Sequence, residues 1–215
     1  MGKLDLSTSP ETAKLWRSIS EQIESLNSRL VPYYQGENRN VYTTDFLVLA
    51  AAKRTLSLGR AFLAMMAVPN FGVAAALLRM QLDTALRFSA MAYVESPNTF
   101  ASEMLRGDRI DKMKTKSGAR LTDKLLVERL AKKFPWIPTV YEQTSGYIHL
   151  SGRHMWQTFG KIEEEGRTVQ FTISDDDVPR PASDYVEILG AFNETTEIVF
   201  DLLISWLDAQ RRPAQ

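Results

Sequence analysis

The stretch Asn70–Val94, NFGVAAALLRMQLDTALRFSAMAYV, decides the fold class. Phe71, Leu77, Leu78, Met80, Leu82, Leu86, Phe88, Met91 and Val94 spread around nearly the whole circumference of a helix with 3.6 residues per turn, the pattern of a helix buried on most sides. Arg79, Asp83 and Arg87 interrupt that pattern at i, i+4 and i+8, each step moving about 40 degrees around the axis. Gly72, Ala76 and Ala90 fall in the same arc, so one narrow stripe carries alternating charge and small residues. Two readings of the stripe stand: solvent-facing ion pairs worth a few tenths of a kcal/mol each, or charges turned into an internal cleft, where they need partners from another helix.

The flanking segments repeat the helical pattern. Ser9-Pro10-Glu11 reads as a helix start, and Trp16, Ile19, Ile23, Leu26 and Leu30 recur at three and four residues up to Pro32. Thr44 is the expected N-cap of a second helix running to Val68 before Pro69, and Asn70 caps the third, which ends near Ser96-Pro97. Residues 98–120 read as short helix and loop broken at Gly107 and Gly118. Thr122 opens a helix with Leu125, Leu126, Leu130 and Phe134 on one stripe, ended by Pro135 and Pro138, and Thr139-Val140-Tyr141-Glu142 has capping-box spacing that predicts a helix through His149 towards Gly152. Val169, Phe171 and Ile173 alternate with polar residues, with Glu165-Gly166 at the turn, which predicts a two-stranded hairpin over 156–174. Asp175, Asp176 and Asp177 lie in a loop with Pro179 and Pro181, and a last apolar helix starts at Ser183 and ends in a frayed basic tail.

The expected fold is all-α: an antiparallel helical bundle with a small β-hairpin excursion near 156–174. It is read as a single helical domain over 1–215, with an N-terminal helix and loop (1–42), core helices (43–155), hairpin and acidic loop (156–182) and a C-terminal helix (183–209).

Composition narrows the function classes. The chain of 215 residues has 26 Lys and Arg against 26 Asp and Glu, so no global field draws nucleic acid or anionic lipid, and an electrostatic function must be local. With no cysteine, thiolate metal sites, disulfides and cysteine nucleophiles are excluded. The apolar stretches near 46–68 and 71–94 have membrane-span length, but Lys53, Arg54 and Arg60 interrupt the first and Arg79, Asp83 and Arg87 the second. Charges at mid-span cost about 2.5–3.5 kcal/mol each, so no membrane partner is expected. The start lacks an apolar signal core and a cytoplasmic location is expected.

A second polar face follows from the same spacing. Tyr141, Ser145 and His149 stand at i, i+4 and i+8 of the expected later helix, with Arg153 and His154 just beyond. An imidazole can move a proton near neutral pH and a guanidinium can stabilise an anionic phosphate, so His149 and Arg79 are the candidate catalytic pair, with Asp83, Arg87, Tyr141, Ser145, Arg153 and His154 as orienting or binding residues. A hydrogen-bonded structural histidine accounts for the same spacing.

Arg79-x-x-Leu82-Asp83 followed by Tyr141-x3-Ser145-x3-His149 resembles an uncharacterised bacterial helical family related to HEPN domains, over roughly residues 43 to 155. That resemblance implies a helical bundle, homodimerisation and, in many members, metal-independent RNA cleavage in toxin–antitoxin or antiviral defence systems. In such ribonucleases four to six residues separate an Arg from the His, whereas Glu142, Gln143 and Thr144 stand at those places before His149, and Asp83 replaces the more usual Glu.

From Arg106 to Lys133 ten basic residues face four acids, a local surplus suited either to phosphate contact or to a solvated surface. Trp136 and Tyr141 lie nearby as candidate stacking residues. No HExxH, Walker loop, GxGxxG or GxSxG sequence occurs, and neither metal nor cofactor is expected. Two functional expectations result. One is an intracellular HEPN-like protein that binds RNA or nucleotide and acts as a metal-independent endoribonuclease. The other is a non-enzymatic interaction or regulatory protein of a defence or toxin system, in which the Arg79/Asp83/His149 cluster is structural.

Overall fold

Four long amphipathic helices build the bundle because each carries one apolar face and none can bury it alone. They are α1 (Pro10–Tyr34), α2 (Thr43–Ala67), α3 (Phe71–Ser89) and α8 (Ala182–Arg211). The computed structural model describes residues 9–35, 40–68, 70–163, 168–171, 173 and 180–211. Between α3 and α8 lie α4 (Pro97–Leu105), α5 (Asp123–Ala131), α6 (Ile137–Ser145) and α7 (Gly152–Thr158), then the strands β1 (Phe159–Glu163) and β2 (Thr168–Phe171).

Contacts between helices fix their directions. On α1 and α8, Gln22 Nε2 donates to Asn193 Oδ1 at 2.8 Å and Tyr33 Oη donates to Asp208 Oδ1 at 2.6 Å, so the two helices run side by side in the same sense. Against α2, Gln210 Nε2 donates to Thr44 Oγ1 at 3.2 Å, while Phe62 stacks on Phe192 with ring centroids 3.9 Å apart, which makes α2 and α8 antiparallel. Helices α1, α2 and α3 therefore alternate, and α8 joins them parallel to α1.

Two apolar clusters fill the bundle. One gathers Ile19, Ile23, Phe62, Met66, Leu78, Tyr185 and Phe192 near the starts of α3 and α8; the other gathers Leu26, Val48, Leu82, Leu86, Phe100, Leu126 and Leu203 towards their ends, where α5 and α6 pack on α3 and α4 packs on α2. Full burial of each large apolar side chain stabilises the fold by about 1.5–3 kcal/mol. Between the clusters, Gln81 Nε2 donates to Thr55 Oγ1 at 3.3 Å, and both residues are fully buried.

Several boundaries follow the expected caps. Val73 N–H donates to Asn70 Oδ1 at 3.1 Å and Leu125 N–H donates to Thr122 Oγ1 at 3.3 Å. Others differ. Thr44 is buried inside α2; Tyr42 occupies the cap, its N–H donating to Asp45 Oδ2 at 2.9 Å. Pro32 lies in the last turn of α1 rather than after its end, where its missing N–H removes one helical bond only. The third helix stops at Ser89, with a 3₁₀ turn over Ala90–Ala92 before the residues expected to end it. Pro138 does not end α5 but occupies the first turn of α6, which starts at Ile137, ahead of the expected Thr139 cap.

The larger correction concerns the end of α6. It stops at Ser145, so the helix expected to run through His149 breaks one turn early. Tyr147 and Ile148 close short turns onto Thr144 and Ser145, and Ser151 Oγ donates to the Gly146 carbonyl at 2.6 Å, occupying an acceptor that a further α-turn would use. The hairpin is present, β1 pairing antiparallel with β2, but its expected first residues, up to Thr158, belong to α7. Its Glu165-Gly166 turn, the Asp175–Asp177 loop, Pro69 and the basic tail beyond residue 211 lie outside the described residues. Among the described residues no helix is long and apolar enough to cross a membrane.

Candidate functional site

Arg79 lies on the face of α3 that meets α6 and is 6 % exposed. A guanidinium so placed must be compensated, since removing its water costs several kcal/mol. Asp83, one turn on, forms the ion pair, its side chain 23 % exposed. The guanidinium lies 3.8 Å from the ring centroid of Tyr141, a cation–π contact, and Nε donates to Ser145 Oγ at 3.4 Å. The Ser145 hydroxyl donates in turn to the Tyr141 carbonyl at 2.5 Å.

Tyr141 links this group to α5. Its hydroxyl donates to Asp123 Oδ2 at 3.2 Å, and the other Asp123 oxygen faces Arg87 Nη2 at 3.5 Å. Burial pushes the Tyr141 phenol above its ordinary pKa; Asp123 and Asp83 act in the same direction and Arg79 opposes them. The result is a continuous chain, Ser145–Arg79–Asp83 with Tyr141–Asp123–Arg87, spanning α3, α5 and α6. Arg87, at its outer end, is half exposed. Charges and hydrogen-bonding groups here meet one another.

The remaining expected site residues stand apart from it. His149 is exposed in the bend after α6, and among the described residues its imidazole has no hydrogen-bond, ion-pair or ring partner. His154 packs edge-on to Tyr147 with centroids 6.2 Å apart, and its Nδ1 accepts the Ser151 N–H at 3.3 Å. Arg153 is exposed and lies over the Tyr147 ring at 5.4 Å. The structure thus joins Arg79, Asp83, Tyr141, Ser145 and Arg87 and places His149, Arg153 and His154 elsewhere.

Arg153 and Tyr147 edge a groove of about 590 Å³ between α3, α6 and α8. Its apolar lining includes Phe71, Leu78, Val140 and Ile188, with Arg180 held over the Phe71 ring at 4.2 Å. In the basic segment, the acids are already engaged: Arg106 with Asp108 at 3.6 Å, Lys124 with Glu128 at 4.0 Å, and Arg109 bidentate with Asp111 through bonds of 2.9 and 2.6 Å. That last pairing raises the Arg109 pKa and lowers that of Asp111. Lys112, Lys114, Lys116, Arg120 and Lys132 remain exposed.

Sequence reasoning missed Asp123, Tyr147, Arg180 and Gly190. Asp123 was visible only as a first-turn acid, and Gly190 as a glycine inside an otherwise strong helix. Comparison with family models, with curated proteins and with solved structures finds no match to this chain.

Proposed function

We propose that the protein is a non-enzymatic helical interaction protein, in which the Arg79 cluster fixes the docking of α5 and α6 on α3 and partners bind elsewhere on the surface. One observation carries this reading: Arg79 is buried and engaged by Asp83, Ser145 and the Tyr141 ring, while His149 stands outside that cluster. Proton transfer beside phosphate stabilisation needs both groups within reach of one substrate. A guanidinium already facing Asp83, Ser145 and an aromatic ring has little left to offer a phosphate.

The partner we favour is a second copy of the chain. Leu150, Met155 and Ile173 are 91 %, 62 % and 95 % exposed, and Ile148 and Val169 in the same segment are also exposed. A two-stranded hairpin is only marginally stable in water, and exposed apolar residues on it and on the bend and α7 that lead into it favour association. Light scattering on purified protein tests this. Wild type should run at twice the mass of one chain, and Leu150→Glu/Met155→Glu at the mass of one while keeping the helical content of wild type, since both sites are exposed in the single chain. A wild type that is monomeric at all concentrations contradicts self-association.

The RNA- or nucleotide-binding reading, with a role in a toxin or defence system, keeps one support: the exposed cations between Lys112 and Lys132. Under it, RNA affinity falls steeply with salt and Lys114→Gln/Lys116→Gln weakens binding without regard to sequence.

A further inference from the structure

We propose that the groove between α3, α6 and α8 binds a small amphipathic anion, an apolar body carrying one carboxylate or phosphate. Its volume of about 590 Å³ lies within the range of small-molecule sites, roughly 300–1,000 Å³. The floor is apolar, from Phe71, Leu78, Val140 and Ile188. What distinguishes it from an ordinary surface crevice is its far wall. Gly190 sits inside the 30-residue helix α8, where glycine costs about 1 kcal/mol relative to alanine. A Cβ built there meets nothing within 4 Å, so no neighbouring helix requires the gap. The space in front of that backbone is kept open to the groove.

The charge at the mouth selects the headgroup. Arg180 is already neutralised by Asp184, 3.5 Å away. Arg153 has no carboxylate partner among the described residues, and its stem lies across the end of α6, where a Cβ on Gly146 would come within 2.7 Å of its Cδ. Its guanidinium lies over Tyr147 at the groove edge, 5.4 Å from the ring centroid. Glu187 and Glu194, exposed on the α8 rim, repel negative charge on that side of the mouth and leave the Arg153 side as the place for an acidic group. Arg153 and Arg180 stand against Asp184, Glu187 and Glu194 in the lining, a formal surplus of one negative charge, so an acidic group is held only at the Arg153 end of the mouth, and a polyphosphate or a nucleic-acid strand is disfavoured.

Calorimetric titration of the full chain with naphthoate, naphthyl phosphate and octanoate, beside uncharged naphthalenemethanol, tests the assignment. At least one of the anions should bind saturably at one site per chain and more tightly than the alcohol; the first two differ only in headgroup and so separate carboxylate from phosphate. Gly190→Met, which fills the groove with a good helix former, should weaken binding at least about tenfold with a melting temperature no lower than wild type. Gly190→Ala should be as stable and still bind, which separates a filled groove from a damaged helix. Arg153→Gln should remove most of the advantage of the anion over the alcohol, about two- to fivefold for an exposed pair. The proposal is overturned if none of the three anions binds in the millimolar range, if Gly190→Met binds like wild type, or if the preference for the anion survives Arg153→Gln.

Discussion

Tyr141 does two jobs: its ring receives the Arg79 guanidinium and its hydroxyl holds Asp123. Replacing it with Phe keeps the ring and removes the hydrogen bond, so Tyr141→Phe should cost about 1 kcal/mol at neutral pH, read from denaturant unfolding. The pH dependence has a definite sign. Burial raises the folded-state pKa of Tyr141 above the unfolded value of about 10. Its contribution is therefore fully present below pH ~10 and is lost as the pH rises through the folded value. The gap between wild type and Tyr141→Phe should narrow on that alkaline limb; parallel curves contradict the assignment. At this scale the sequence is readable where geometry is local. Arg79 with Asp83, and Tyr141 with Ser145, are set by helical spacing alone. Asp123 was not readable, because its position against Tyr141 and Arg87 depends on how α5 docks. His149 was misplaced by carrying the helical period past Ser145.

Among the elements, α1 and α2 approach closely at Gly59. Gly59 is buried, and a Cβ built on it comes within 2.8 Å of Ile23 Cγ1 and closer still to Ile23 Cδ1. Ile23 is itself packed in the core, so Gly59→Ala should lose about 1–3 kcal/mol by overpacking, less the roughly 1 kcal/mol that alanine gains over glycine in a helix. Thermal melts should show Gly59→Ala less stable than wild type and Ile23→Val recovering part of the loss in the double variant. A Gly59→Ala protein that melts above wild type contradicts the close packing. The long helices were legible, since periodic apolar stripes survive in any docking, whereas the short α7 over Gly152–Thr158 was not, its residues being read as the end of one helix and the start of the hairpin. Boundaries were less so: Pro138 ends a helix or opens one depending on the chain around it, and here it opens α6.

For the whole molecule, the sequence supports a bundle but not its winding. Nothing local says that α8 runs parallel to α1; that follows from the return path through α4, α5, α6 and α7, and it is fixed by pairs such as Gln22 with Asn193 and Tyr33 with Asp208. Within this frame the Arg79 cluster sits where α5 and α6 close over α3, and the central claim is that it holds those helices together without performing chemistry. Removing one member leaves a charge in a poor environment: Arg79→Leu alone should cost about 2–3 kcal/mol, below the roughly 3–5 of a fully buried pair because Asp83 retains some water. Arg79→Leu/Asp83→Leu removes both charges and should recover much of that loss. The most direct test follows the stability of these two variants together with RNA cleavage by wild type, the double variant and His149→Ala. The account predicts partial recovery of stability in the double variant and no cleavage by wild type that these substitutions abolish. A folded double variant or His149→Ala protein that loses a ribonuclease activity present in wild type would contradict it.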